Sequence, residues 1–217
     1  MISRPPRLHV IATGAVAADE RLALTGGRLL ECCGPGIALH IRLRGAPARR
    51  TFELASSLTA IAEEAGAWLV VNERLDIALA AAAQAVQLGR DAIGVEDANR
   101  LAGGHLAVGA SVHSGREAER AAEAGADYLV VGTIYPTVSH PGRPGAGPEL
   151  IRRCASGTVV NRARTPLLAI GGIDADRIAA VADAGAYGVA VVRAVWDSED
   201  PVRAAARLSK KIEGAFG

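Results

Sequence analysis

Basic side chains follow one of the short apolar runs of this chain at a spacing that could bind an anion. His40, Arg42 and Arg44 alternate at the end of that run. Alternate residues of a β-strand share a face, so these three side chains would point to the same side. Burying several basic groups without an anion is costly, which favours an anion site around Arg42. The alternative is that Arg44 already lies in solvent and only Arg42 points inward.

Three uncharged polar residues close the next apolar runs and could orient a ligand. Asn72 suits this role because an amide both donates and accepts hydrogen bonds. Gln87 and Ser111 stand at the ends of two further runs. Side chains at such places could instead satisfy the backbone of the following loop. We take all three as candidates for substrate binding.

Gly171 and Gly172 follow another apolar run and precede a predicted helix. Two successive glycines expose backbone N–H groups, and helix N-termini attract anions, so the pair predicts a phosphate cradle. The alternative is a tight turn in which Asp174 caps the helix, and both can hold at once. Arg193, after the last apolar run, is close enough in sequence to assist.

The segment from Thr133 to Gly147 is the longest stretch without a clear helix or strand. It contains hydroxyls, prolines, glycines, an arginine and His140. Loops of this length in compact domains are usually functional or mobile, and this composition could fold over an anionic ligand. The alternative is a plain loop that faces solvent.

A phrase that occurs three times indicates the elements that position these residues. Each copy is an alanine-rich helical end, a glycine and a short apolar run, with the glycines at 66, 125 and 185. The spacings of 59 and 60 residues correspond to two strand–helix units per repeat. The phrase therefore predicts alternating strands and helices.

Continuous apolar runs are typical of buried parallel strands. Eight are present: Leu8–Ala12, Ile37–Arg42, Trp68–Asn72, Ala85–Leu88, Leu106–Ala110, Tyr128–Gly132, Pro166–Ile170 and Gly188–Val192. The helix after the fourth is poorly defined, because Asp91–Asn99 is short and polar. The rival to a closed barrel is an open doubly wound sheet, but no Gly-x-Gly-x-x-Gly follows the first run. We predict one α/β domain over residues 1–217, a (β/α)8 TIM barrel with its site at the carboxyl ends of the strands.

Composition narrows the classes of partner. The net charge is +1 and aromatic residues are 3% of the 217 residues, which argues against nucleic acid and membrane surfaces. The three cysteines, Cys32, Cys33 and Cys154, fit neither a disulfide framework nor zinc spacing. The chain shows no secretory signal and no apolar run that would span a membrane, so we expect a soluble, cytoplasmic protein.

Five phrases in this order resemble thiamine phosphate synthase and its sister, the thiazole tautomerase. They are 71–79, 85–89, 125–132, 135–137 and 169–173. The resemblance implies a thiamine-biosynthesis barrel whose partner is a small-molecule thiazole phosphate or thiamine phosphate, with a homodimer as an option. It also implies that the thiazole phosphate binds at Thr137, Ser139, Gly171, Gly172 and the end of the eighth strand near Val192.

The departures from the synthase pattern concern its pyrophosphate and metal ligands. The pattern Gln-x-Arg-x-Lys corresponds to 40–44 here, where only Arg42 is kept. The two magnesium-binding aspartates correspond to Glu73 and Ala92, and Asp91 lies one residue from the missing carboxylate. The pyrophosphate-binding lysine corresponds to His140, and imidazole is mostly neutral near pH 7.

These departures favour a metal-free tautomerase, although Thr133 stands where the tautomerase has its histidine. Proton transfer needs a group with a pKa near neutrality, and we expect His140, then His40, to carry the proton. No cofactor is then required, and Mg²⁺ is needed only if the protein is a synthase. The alternatives are a magnesium-dependent synthase and a non-catalytic binder of thiazole or thiamine phosphate.

Overall fold

Eight parallel strands form a closed barrel in the computed structural model, which describes residues 4–137, 142 and 144–216. Each strand pairs with the next along the chain, and the first also pairs with the last. The strands are β1 Leu8–Thr13, β2 Ile37–Arg42, β3 Trp68–Asn72, β4 Ala85–Leu88, β5 Ala107–Val112, β6 Tyr128–Gly132, β7 Leu167–Ile170 and β8 Gly188–Val191. The predicted TIM barrel is confirmed.

Helices follow the strands and cover the outside of the barrel. In chain order they are α1 Ala15–Ala18, α2 Leu22–Cys33, α3 Ala48–Ala65, α4 Leu75–Ala80, α5 Val95–Ala102, α6 Gly115–Glu123, α7 Glu149–Ala155, α8 Thr158–Ala163, α9 Ile178–Asp183, α10 Arg193–Trp196 and α11 Pro201–Ala215. After β4 the helix is α5, which begins at Val95, within the polar stretch Asp91–Asn99, with Gly94 as its N-cap.

The repeated phrase is a helix stop that occurs three times with the same hydrogen bonds. Gly66, Gly125 and Gly185 have φ values of 67°, 86° and 96°, in the left-handed region that favours glycine. After each glycine, the next N–H reaches back five residues to a helix carbonyl, at 2.8, 3.0 and 3.1 Å. This is the Schellman arrangement, and it turns the chain into β3, β6 and β8 as the repeats predict.

Two apolar cores lie on the two sides of the sheet. The larger core packs between the strands and the helices, and the smaller fills the barrel with side chains such as Ile11, Trp68 and Leu168. Polar residues interrupt the inner core, and His9 and His40 are both fully buried there. A Cβ at Gly109 would overlap the ring of Tyr128, its partner on the neighbouring strand β6, so this glycine makes room for the large side chain inside the barrel.

The seam of the barrel, where β1 pairs with β8, is closely packed at both ends. Leu8, His9 and Val10 pair with residues 189, 190 and 191 of β8. A Cβ at Gly188 would overlap the Arg7 carbonyl, and the Trp196 Nε1–H donates to the Ile11 carbonyl at 3.0 Å. In the described part of the chain, no helix is both long and apolar enough to cross a membrane.

Candidate active site at the carboxyl ends of the strands

The strand pleat brings the sequence candidates of β2 to β5 together at one side of the barrel mouth. Asn72 pairs in register with Gln87, and the Gln87 Nε2–H donates to Ser111 Oγ at 3.0 Å. Gln87 is buried, and its Oε1 has no hydrogen-bond partner among the described residues. Ser111 and Asn72 are partly exposed. These amide and hydroxyl groups form a polar strip that a ligand could contact.

A chain of hydrogen bonds connects this strip to the floor of the barrel. His40 Nδ1 lies 3.1 Å from Asn72 Oδ1, and His40 Nε2 lies 2.7 Å from His9 Nδ1. His9 Nε2 lies 3.0 Å from the Pro6 carbonyl oxygen. Both nitrogens of His40 are therefore engaged inside the barrel. Sequence reasoning placed His9 in the first strand but did not pair it with His40.

Burial makes both imidazoles weak bases. It lowers the pKa of His40 to about 4. It also lowers the pKa of His9 well below its usual value, and the neighbouring His40 adds to that effect. Both rings are therefore neutral near pH 7. The sequence predicted His40 as a proton carrier with a pKa near neutrality. In the structure His40 is fully buried and its pKa is about 4.

Two arginines share one carboxylate oxygen at the end of β2. Arg42 Nη2 and Arg44 Nη2 lie 3.5 and 3.4 Å from Glu73 Oε1. The Arg42 side chain is 30% exposed and that of Arg44 is 66% exposed. Burial, followed by the charge of Arg44, lowers the pKa of Arg42, while Glu73 raises it. Two guanidinium charges against one carboxylate leave a net positive charge, which suits an anion.

The same residues do not fit a magnesium ion. Mg²⁺ requires near-octahedral oxygen ligands. Glu73 already pairs with two arginines, and Ala92 offers no carboxylate where the second ligand is expected. Asp91 is exposed. Across the described ranges, no three His, Cys, Asp or Glu side chains cluster closely enough to hold a metal ion.

The loops after β6 and β7 lie against each other with backbone in contact. The N–H groups of Ile134 and Tyr135 donate to the carbonyls of Ile170 and Gly171 at 2.9 and 3.0 Å. Gly171 and Gly172 have φ values of 102° and 61°. A Cβ at Gly171 would overlap the β6 loop, and one at Gly172 would lie 2.8 Å from a carbonyl oxygen of that loop. Both positions therefore require glycine.

The charged groups around the two glycines differ from those expected. Asp174 Oδ1 accepts from the N–H groups of Asp176 and Arg177 at 3.1 and 3.2 Å, which forms a turn beside the glycines. The N-cap of α9 is Arg177 and no side chain caps this helix, so the predicted helix cap at Asp174 is wrong. Arg177 also donates to the Gly172 carbonyl and lies over the Tyr135 ring at 4.7 Å. The sequence reasoning missed this arginine. Arg193 instead pairs with Asp197 of its own turn at 2.7 Å, while Val192 packs against the inner core.

The long loop after β6 is held together at its base. The N–H groups of Ala146 and Gly147 donate to the carbonyls of Thr133 and Ile134 at 2.9 and 2.8 Å. Thr137 is at the end of the described part of this loop. The candidates Ser139 and His140 lie outside the described residues.

A cleft of about 450 Å³ adjoins the polar strip between the β4 loop and α6. Ser111, His113, Glu117 and Arg120 contribute to its wall. The His113 Nδ1–H donates to the Gly132 carbonyl, and its backbone N–H donates to Glu117 Oε2 at 2.7 Å. Ser114 caps α6 by accepting from the Glu117 N–H at 3.2 Å. His113 thus stands beside the end of β6.

Comparison with known proteins decides the family. The sequence model described as thiamine monophosphate synthase matches residues 24–195. The chain belongs to this family. A thiamine-phosphate synthase of Gloeobacter violaceus is 36% identical over 221 residues, which cover 95% of this chain and 63% of the relative. Another, of Saccharopolyspora erythraea, is 44% identical over 172 residues, which cover 77% of this chain and 75% of the relative.

A solved structure supports the same family. The thiamine phosphate pyrophosphorylase of Pyrococcus furiosus superposes with a TM-score of 0.82 at 34% identity, and the match covers 97% of both chains. The sequence-based preference for a thiazole tautomerase is therefore wrong, because these relatives are named as the synthase. His40, which favoured the tautomerase, has both ring nitrogens bonded within the barrel.

Proposed function

We propose that this family member is a thiamine phosphate synthase, a transferase that joins a pyrimidine pyrophosphate to a thiazole phosphate. A bond forms between the two heterocyclic parts, the bond to the pyrophosphate breaks, and pyrophosphate leaves. The names of its relatives support this reaction. Both substrates are organic anions, so the site must hold two phosphate groups and orient two rings.

The observation that carries the proposal is the charge balance at the end of β2. Arg42 and Arg44 share a single carboxylate oxygen, that of Glu73, and so retain an unbalanced positive charge. Guanidinium groups present planar pairs of donors that match phosphate oxygens. We assign the pyrophosphate to these arginines, which would also stabilise the charge that develops on it as it leaves.

The thiazole phosphate is assigned to the other side of the mouth. Gly171 and Gly172 bring the β7 backbone to the site without side chains, and the turn in which Asp174 accepts from the Arg177 N–H follows them. Backbone N–H groups at such turns and helix starts bind phosphate. We place Thr137, Ser139 and the backbone at Val192 and Arg193 around the same group.

The polar strip would hold the rings between the two anions. Ser111 and Asn72 are partly exposed, and Gln87 has a buried oxygen that a donor group of the ligand could approach. Holding two reactants in contact is itself a large source of rate enhancement. Because the donor set does not fit Mg²⁺, none of these steps is assigned to a metal.

The test is formation of thiamine phosphate by purified protein, with and without Mg²⁺. Arg42→Gln should lower kcat/KM for the pyrimidine pyrophosphate about tenfold to a hundredfold, as expected when a charged hydrogen bond is lost. Arg152→Gln is the matched control, because Arg152 is an arginine on α7 that pairs only modestly with Glu149 at 3.3 Å. It should leave turnover unchanged.

Two outcomes would contradict the proposal. One is the absence of thiamine phosphate under both conditions, and binding of thiazole phosphate without turnover would then favour a non-catalytic binder. The other is an Arg42→Gln variant with the kinetics of the parent protein.

A further inference from the structure

The contacts in the hydrogen-bonded chain from Pro6 to Asn72 determine which ring nitrogens of His9 and His40 carry hydrogen. The Pro6 carbonyl can only accept, so His9 Nε2 must carry a hydrogen. The contact between His9 Nδ1 and His40 Nε2 needs one hydrogen, and His9 has already used its own if its ring is neutral. The hydrogen between the two rings then belongs to His40 Nε2.

This assignment leaves His40 Nδ1 without a hydrogen when the ring is neutral. That nitrogen lies 3.1 Å from the amide of Asn72. If the amide oxygen faced it, a third N–H would be needed, and the two rings together would carry one positive charge. If the amide is turned by 180°, its NH2 group donates to His40 Nδ1, and both rings are neutral. Oxygen and nitrogen of an amide are assigned by such networks.

The surroundings of the rings favour the neutral arrangement. His9 and His40 are fully buried, and they contact the Pro6 carbonyl, the Asn72 amide and the Tyr128 ring, all uncharged groups. The Tyr128 ring centre is 5.3 Å from that of His9. A positive charge buried among such groups is strongly disfavoured.

We propose that His9 and His40 act as positioning residues that turn the Asn72 amide, so that its NH2 group faces His40 and its carbonyl oxygen faces the barrel mouth. The amide oxygen at the mouth then accepts hydrogen bonds, and it recognises a donor on a heterocycle, such as an amino group. The orientation itself stands on the hydrogen bonds, whereas its effect on substrate rests on the proposed function.

The direct test is a long-range ¹H–¹⁵N spectrum of the ¹⁵N-labelled parent protein near pH 7. The expected result is two neutral rings, both with hydrogen on Nε2. An imidazolium at either position, or a His40 ring with hydrogen on Nδ1, would overturn the proposal. This measurement needs no variant and no substrate.

A variant connects the orientation to function. In Asn72→Asp a carboxylate replaces the amide, and it can only accept from His40. His40 must then carry hydrogen on Nδ1, so its spectrum should change, and kcat/KM for the pyrimidine pyrophosphate should fall about tenfold or more as the site loses its neutral acceptor. Unchanged His40 signals in a folded Asn72→Asp variant would refute the proposal.

Asn99→Asp is the matched control. Asn99 donates its amide to the carbonyls of Ala124 and Gly125 outside the barrel, at 3.2 and 2.9 Å. The control loses an amide donor in the same way, but it should leave both the His40 signals and turnover unchanged. If the parent protein forms no thiamine phosphate, the proposed function fails, while the spectrum of the parent protein still decides the orientation of Asn72.

Discussion

The two buried histidines should make the stability of this protein depend on pH in a defined window. The pKa of His40 is lowered to about 4, mainly by burial, whereas a histidine in an unfolded chain has a pKa of about 6.5. Between these values the unfolded chain binds a proton that the folded protein does not bind. The free energy of unfolding therefore falls as the pH falls through this window, and it is unaffected by His40 well above it.

The size of the effect follows from the two pKa values. At about pH 5, His40 alone should reduce the free energy of unfolding by about 2 kcal/mol relative to about pH 7.5. The full difference of roughly 2.5 pKa units, about 3.4 kcal/mol, is reached below about pH 4. The pKa of His9 is lowered in the same direction, so it adds a loss of the same sign. Total stabilities of domains are about 5–15 kcal/mol, so the loss is measurable.

The assay is urea unfolding at several pH values between about 7.5 and about 5. His40→Gln should remove the part that comes from His40 and so reduce the pH-dependent loss by about 2 kcal/mol. His105→Gln is the control, because His105 is exposed outside the barrel. Equal stability of the parent protein at both ends of the range would refute the reasoning. An equally steep loss in His40→Gln would refute it too.

Three further outcomes are expected. Titration calorimetry should detect only weak Mg²⁺ binding, and Ala92→Asp should strengthen it by restoring the missing carboxylate. Gly109→Ala should lower the urea midpoint, with a loss of about 1–3 kcal/mol, because its Cβ would overlap the Tyr128 ring. Gly171→Ala should weaken binding of thiazole phosphate in calorimetry, whereas Gly104→Ala, also at positive φ but in open space, should leave binding unchanged.

The barrel could be predicted from the sequence because its signals are local and repeated. The glycines at 66, 125 and 185 end helices by the same hydrogen bonds, so one observation located β3, β6 and β8. Apolar runs located the other strands, although β5 extends to Val112, two residues past the predicted end. The helix after β4 was poorly defined in the sequence because α5 exposes most of its surface and is therefore polar.

The site was harder to predict because it depends on register between distant segments. Alternation indicated that Arg42 shares a side with His40, but nothing local shows that His9 meets His40 across β1 and β2. The contact of Arg177 with Gly172 depends likewise on a turn. The choice of reaction failed because it rested on departures from the synthase pattern, such as Glu73 and Ala92, whereas the relatives of this chain are named as the synthase.

The seam of the barrel also limits when the molecule can be completed during synthesis. Leu8 pairs with Val189, so the first strand waits for almost the whole chain before its outer edge is covered. Contacts that close such long loops form late and slowly. Until then, a nascent chain carries an open strand edge, which invites pairing with other chains. A chain that stops before Gly188 should therefore aggregate rather than form a smaller barrel.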